Sequence, residues 1–294
     1  MKPMIGVIGG SGIYEIDGLE DARWETVRSP WGAASDDILR GRLQGIEMAF
    51  LPRHGRGHVQ SPSTINYRAN IDVMKRIGVT DLVSVSACGS FREDMAPGDF
   101  VLVDQFIDRT FARDKTFFGA GCVAHVSVAQ PTCPRLGRFC LDAARSEGIT
   151  IHPAGTYLAM EGPQFSTLAE SRMYRDVWGA DVIGMTNMPE AKLAREAEIC
   201  YASLAMITDY DSWHPAHGEV DVTEIIRILS GNADKARGLI RRLPGLLGGN
   251  RETCEAGCET ALDTAIMTAP EMRDPALLAK LDAVAGRVLG KPTD

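Results

Sequence analysis

An α/β fold, with helices on both faces of a central sheet, is what this chain predicts on three observations. Apolar runs of four to eight residues, rich in Val and Ile, recur along the sequence as buried strands do. Longer stretches between them repeat at helical spacing and end at glycine. The two kinds alternate, which is the pattern of layered sheet and helix.

Taken in order, MIGVIGG (4–10) predicts a first strand running into a glycine-rich loop, and IEMAFL (46–51) a second. TINYRANIDVMKRIG (64–78) is helical in period, and DLVSVSA (81–87) and DFVLVDQFI (99–107) are strands. CPRLGRFCLDAARSEG (133–148) predicts a helix, TYLAMEG (156–162) and DVIGM (181–185) strands, PEAKLAREAEI (189–199) a helix and YASLAMI (201–207) a last strand. A long helix is expected over 221–243, followed by the glycine-rich break PGLLGGN at 244–250. The core domain is therefore assigned to 1–245. Residues 246–294 are treated as a C-terminal appendage with a helix over 275–289, its packing undetermined by pattern.

With 294 residues, 45% of them hydrophobic, the chain can bury a sizeable core. No apolar run approaches the ~18 residues of a membrane span, and Met1–Gly10 lacks the basic start and cleavage site of a signal peptide. A cytoplasmic location is expected. The net charge of −8, from 39 acids and 31 bases without long like-charge blocks, argues against nucleic acid or an anionic membrane as partner. Seven cysteines, odd in number and mostly isolated, read as reduced thiols. Cys254 and Cys258 are the one close pair. Their spacing suggests one face of a helix, and the pair lacks two further ligands at zinc-like spacing, so no metal is assigned.

The chemistry-bearing motifs cluster at strand ends, where an open α/β sheet displays ligand loops. GVIGGSGIY is not a dinucleotide fingerprint, because Glu15 stands where a third glycine belongs. Its backbone N–H groups and the Ser11 hydroxyl can hold a small anion, or the loop is a tight structural turn. Arg53, His54, Arg56 and His58 follow a strand in LPRHGRGH and suit phosphate oxygens. A His54–His58 metal pair would need a third ligand. Ser86, Ala87 and Gly89 are small enough for a flat ligand to approach, with Cys88 a wall residue lacking any partner base at recognisable spacing. Phe165 is either a stacking ring or a core residue, and Ser166 or Thr167 can cap the following helix. Met185 and Thr186 end a strand, and Glu190 in the next first turn complements a helix dipole. His214 and His217 fall in a polar loop and read as surface or gate residues.

In MITDYDSW, Asp209 and Asp211 follow the last strand directly. Two acids there either cap a turn or serve a ligand.

The motifs GGSG, RHGRGH, NYRANI, ACGS, DQFIDRT, EGPQFS, MTNMPE and TDYDSW, in this order over residues 4–243, resemble the nucleoside phosphorylase family. Among its branches the resemblance is to the one acting on S-methyl-5′-thioadenosine. It implies a single α/β domain with a mixed central sheet, a homotrimer, and phosphorolysis of an N-glycosidic bond without metal or organic cofactor. By this resemblance phosphate is held by Ser11, Arg53, His54, Ser86, the Ala87 backbone and Thr186. His58 and Met185 flank the ribose, and Ala87, Cys88, Gly89, Phe165 and Ser166 surround the base. His125 of a neighbouring subunit, Val222 and Ile225 surround the 5′ substituent, while Asp209 faces N7 and Asp211 the amino group.

A protonated Asp209 would donate to N7, which asks for a pKa raised by about three units from ~3.9. Two departures stand out. Asn187 occupies the place of a second threonine, and the tail beyond 245 matches no pattern that carries over. The rival readings are a 6-oxopurine nucleoside phosphorylase, for which an amide at the N7 contact is expected instead of a carboxylate, and a non-catalytic nucleoside-binding protein. Preference among methylthioadenosine, 5′-deoxyadenosine and adenosine stays open.

Overall fold

The computed structural model describes residues 2–10, 12–214 and 222–290, apart from the side chains of Val222 and Glu224. Strands β1 (Met4–Gly9), β2 (Glu20–Glu25), β3 (Ile38–Leu43) and β4 (Ile46–Pro52) form one wing of a mixed sheet. Helix α1 (Tyr67–Arg76) leads into the central strand β5 (Asp81–Ser90). β6 (Phe100–Val103) and β7 (Gln105–Arg109) follow, then α2 (Pro134–Ser146), β8 (Ile151–His152) and β9 (Thr156–Met160). The chain continues through α3 (Leu168–Arg172), β10 (Val182–Gly184), α4 (Asn187–Glu196), β11 (Cys200–Asp209) and α5 (Val222–Leu247). Short helices α6 (Pro275–Lys280) and α7 (Asp282–Leu289) close it.

The strand order is β2-β3-β4-β1-β5-β10-β9-β7, and β11 joins β5 and β6 off that path, with β8 beyond β6. The branch point is β5. It pairs in parallel with β11 along its length and with β1 over Asp81–Ser84, and antiparallel with β10 at its last residues. A strand this buried, with Leu82, Val83 and Val85 all at 0% exposure, reads as a continuous apolar run because both of its faces are covered. One core cluster packs α1, α4 and α7 on one side, and the other packs α2 and α5 on the opposite side.

Every strand and helix read from periodicity is present, with differences at the margins. DFVLVDQFI bends at Asp104 into β6 and β7, which pair with different neighbours, β11 and β9. β2 carries no pattern, since EDARWE is exposed almost throughout. The long helix runs on through Pro244 to Leu247, because a proline in the last turn forfeits only one helical bond. Gly248, at φ +68°, then ends it with its N–H on the Pro244 carbonyl at 3.1 Å.

The segment after 245, whose packing the pattern left undetermined, packs on both core clusters. Leu262, Ala265, Leu281, Val284 and Ala285 are buried in the first core cluster, and Cys254 and Cys258 in the second. Ion pairs from Arg76 to Asp282 and from Arg287 to Glu198 tie it down. Cys254 and Cys258 lie in a loop and a short 3₁₀ turn, not on a helix face. Their missing partners come from elsewhere in the chain: Cys133 and Cys200 converge on them.

Candidate active site

A cavity of about 560 Å³ opens where β1, β4, β5, β10 and β11 end, within the range usual for small-molecule sites. Its lining joins Gly10, the 53–62 loop, Val85–Gly89, Met160–Phe165, Ile183–Thr186, the end of β11, and Ile225, Leu229 and Ala233 of α5. Segments far apart in sequence therefore meet because their strands are neighbours. Arg53 N–H bonds to the Gly9 carbonyl at 2.8 Å, fastening the loop after β4 beside the loop after β1.

One end of the cavity carries the acid pair. The β11–β5 register slips between Ile207 and Asp209, a bulge that re-aims the strand end beside the site. Asp209 then stands opposite Gly89, and a Cβ on Gly89 would lie 2.9 Å from Asp209 Oδ1, so only glycine fits. Asp209 accepts from Thr208 Oγ1 at 2.8 Å and from the Asp211 amide at 2.9 Å. Burial pushes its carboxyl up to about 6, with the Asp211 charge adding to the shift and those two hydrogen bonds opposing it. Asp211, at φ +28° and 5% exposed, is held by Ser166 Oγ, 3.1 Å from both carboxylate oxygens. Burial raises its pKa as well.

The other end is built of hydroxyls and a histidine. Ser86 Oγ and Thr186 Oγ1 lie 3.0 and 3.3 Å from Asn187 Oδ1, whose Nδ2 faces Ser203 Oγ. The fully buried Asn187 thus organises both hydroxyls. His54 Nδ1 donates to the Gln60 carbonyl at 2.9 Å, and its ring stacks on His58 at 4.1 Å. Burial, with the charges of Arg53 and His58, lowers its pKa to about 4. The ring is neutral near pH 7, and Nε2 is its acceptor.

Arg53 differs from the expectation of a phosphate fork. At 1% exposure its fork grips Glu190, Nε to Oε2 at 2.9 Å, and it also bonds Val85 O, Ile8 O and Ser84 Oγ. Of the Arg53 N–H groups, only Nη1 keeps a hydrogen without an acceptor among the described residues. Glu190 does stand in the first turn of α4, and it is also a buried counter-ion, bonded by the Tyr201 hydroxyl at 2.9 Å. Arg56 turns away to Asp36 and Asp37 outside the cavity.

Of the other sequence candidates, Ala87, Cys88, His58, Met185, Phe165 and Ile225 line the cavity. Phe165 is 46% exposed, so it is a ring on a ligand surface and not a core residue. Ser166 stands behind Asp211 instead of facing the cavity. His125 is exposed, with its N–H on the Ala265 carbonyl at 2.9 Å, and lies off the cavity of its own chain. Ser11, the Val222 side chain and His217 fall outside the described residues. His214 is 9% exposed, stacked on Tyr210 at 4.7 Å and paired with Glu93, so it is a packed residue and not a surface one.

Sequence reading missed the buried Arg113–Glu161 pair. Arg113 bonds the carbonyls of Met185, Met188 and Glu161 and so joins the two loops that carry Met185 and Phe165. Arg113 lies just past the recognised DQFIDRT segment, with no local pattern to single it out.

A family model described as the phosphorylase superfamily matches residues 4–243. S-methyl-5′-thioadenosine phosphorylase of Cereibacter sphaeroides is 73% identical over 98% of this chain and 99% of that protein. The Bradyrhizobium diazoefficiens protein of the same name is 62% identical over the same shares. Among solved structures, a methylthioadenosine phosphorylase from an Antarctic soil metagenomic library superposes with a TM-score of 0.90 at 45% identity, over 96% of this chain and 99% of that one. A Schistosoma mansoni methylthioadenosine phosphorylase in complex with adenine reaches 0.81 at 33% identity, over 88% and 96%.

Proposed function

The chain belongs to the phosphorylase superfamily, and from that premise we propose that it is a pentosyltransferase that cleaves S-methyl-5′-thioadenosine with inorganic phosphate. The products are adenine and 5-methylthioribose 1-phosphate. The observation that carries this reading is the acid pair in the cavity, with Asp209 held up to about 6 by burial.

Leaving adenine develops negative charge and needs a proton at N7. A protonated Asp209 donates there, and Asp211, kept in place by Ser166, accepts from the exocyclic amino group. A 6-oxopurine would set its O6 against that carboxylate, which disfavours inosine. Phe165 offers its exposed ring face to the base, and Met185 and His58 flank the sugar. Ile225 and Leu229 give the 5′ substituent an apolar wall, suited to a thioether or a methyl group.

Phosphate takes the hydroxyl end. To donate to it, Ser86 and Thr186 must not spend their protons on Asn187 Oδ1. A half turn of the amide, which leaves heavy-atom positions almost unchanged, presents Nδ2 to both hydroxyls and Oδ1 to Ser203. Both hydroxyl protons then point to the anion, and Ser11 and the spare Arg53 hydrogen join them. Neutral His54 offers Nε2 to the P–OH of hydrogen phosphate. The bound anion lies under the ribose, stabilises positive charge at the anomeric carbon, and attacks it, with no covalent enzyme intermediate.

Inorganic phosphate is the co-substrate in this reading, and no metal or organic cofactor enters the reaction. We place the enzyme in the cytoplasm as a homotrimer in which His125 reaches a neighbour's 5′ pocket. Its exposure off its own chain's cavity supports that reading. Among the described residues no helix is long and apolar enough to cross a membrane.

The test is release of free base from methylthioadenosine, 5′-deoxyadenosine, adenosine and inosine, each with and without phosphate. Phosphate-dependent adenine from the first two, with little hypoxanthine from inosine, is the expected outcome. Release without phosphate would make the protein a hydrolase, and inosine preference would overturn the role given to Asp209 and Asp211.

A further inference from the structure

We propose that Cys133, Cys200, Cys254 and Cys258 form a tetrathiolate site for one Zn²⁺ that staples the C-terminal segment to the sheet, far from the catalytic cavity. Their four sulfurs all lie within 4.8 Å of one another, with Cys133 to Cys254 at 3.3 Å and Cys254 to Cys258 at 3.5 Å. A tetrahedron with Zn–S of about 2.3 Å has sulfur–sulfur edges of about 3.8 Å, inside that spread. All four cysteines are buried, none above 3% exposed.

The ligands come from three regions of the chain. Cys133 is the N-cap of α2, Cys200 opens β11, and the C-x₃-C pair follows α5 on a turn through Gly257 at φ +63°. Such convergence of four soft donors on one point favours zinc over the hard cations that prefer oxygen.

The surroundings match a dianionic centre. The Leu136 amide donates to Cys133 Sγ at 3.4 Å, Arg251 Nη2 to Cys200 Sγ at 3.0 Å and Arg195 Nη1 to Cys258 Sγ at 3.3 Å. A thiol is a weak acceptor, whereas Zn(Cys)₄ carries two negative charges that such donors compensate. Arg251 is also paired with Asp81 and Glu259, and Arg195 also bonds the Ala256 carbonyl, so both guanidinium groups are held in place beside the four sulfurs. A disulfide would use Cys254 with only one of two sulfurs that lie at similar distances, 3.3 Å for Cys133 and 3.5 Å for Cys258, and would leave the other two thiols beside it. Binding displaces thiol protons as each sulfur becomes a thiolate, so affinity falls as pH falls.

The experiment is elemental analysis of the full-length protein purified without chelator, followed by Co²⁺ exchange. Expected are about one zinc per chain, released by a mercurial thiol reagent, and a Co²⁺ form with thiolate-to-metal charge transfer and the visible bands of a tetrahedral site. Cys258→Ser should lose the metal and unfold at lower temperature, and Cys122→Ser, outside the cluster, should keep it. The proposal is overturned if the wild-type protein holds no zinc and takes up no Co²⁺. It is equally overturned if Cys258→Ser retains the full metal content, or if non-reducing peptide mapping finds a disulfide within the cluster. None of these readouts depends on the nucleoside reaction.

Discussion

The two ends of β11 hold buried charge in opposite ways. The strand has ten residues and pairs in parallel with β5, so its ends are roughly 30 Å apart at ~3.3 Å per residue. At its start, Cys200 lies beside Asp81, whose carboxylate is 0% exposed and takes bonds from Arg135, Arg251 and Thr80. At its finish, Asp209 has no cation among the described residues, only a hydroxyl, an amide and a second acid. Paired charge at one end contributes to holding the tail on. Burial at the other end disfavours the charge and keeps a proton available to a leaving base up to about pH 6.

Asp209→Ala should break that contrast most strongly. With the general acid gone, turnover of adenine nucleosides should fall by about two to four powers of ten while the melting temperature is kept or raised. Steady-state kinetics beside a thermal melt checks it, and undiminished turnover would refute the role. Arg251→Met should do the reverse. It strips a cation from Asp81 and Glu259 together, and a broken buried pair costs about 3–5 kcal/mol. Denaturant unfolding should register that loss, while activity per folded molecule at low temperature changes little.

Asp209→Asn separates the acid from its charge, and the sign follows from linkage. The folded pKa of about 6 lies above the unfolded value near 3.9, so the protonated acid favours folding at low pH. That contribution is complete below about 4 and is lost as pH rises through 6. The amide does not ionise, so Asp209→Asn should equal the parent near pH 4 and exceed it at pH 8 by up to about 3 kcal/mol. The same substitution should remove the descending limb above pH 6 in kcat/KM for methylthioadenosine. Phosphate ionises identically in both assays, so the difference between the profiles belongs to Asp209.

Sequence legibility divides along the same strand. At the finish, the site is made of short contiguous motifs at strand ends, and Asp209, Ser86, Thr186, His54 and Phe165 all line one cavity. The alternation of apolar runs exposed the central strands because their burial on both faces leaves a plain pattern. At the start, only the Cys254–Cys258 pair is local. Cys133 and Cys200 are isolated in sequence, and only strand pairing and the return of the tail bring them to Cys254 and Cys258. Arg53 is legible only in part. Its residue type suggested an anion, and it lines the cavity, but Glu190, 137 positions away, claims the fork. Spacing reports neighbours along the chain, and a buried counter-ion is a neighbour only in the fold.

Asn187 offers the finest probe of the finish, since its amide decides where two hydroxyl protons go. Asn187→Asp replaces a group that can donate to Ser86 and Thr186 with one that only accepts from them when ionised. Both hydroxyl protons would then be held by the carboxylate, and a like charge would face the incoming anion. KM for phosphate should rise about tenfold, some 1.4 kcal/mol, while KM for the nucleoside stays within about twofold. If the hydroxyls already spent their protons on Asn187 Oδ1 in the working enzyme, a carboxylate acceptor would change only the charge. A carboxylate as buried as the amide it replaces is little screened by salt, so the comparison is the uncharged Asn187→Leu, which removes donor and acceptor together and frees any hydroxyl proton that Oδ1 held. A KM for phosphate in Asn187→Leu that stays at or above the parent's would therefore assign the amide nitrogen to Ser86 and Thr186, and a KM that falls below it would assign the oxygen.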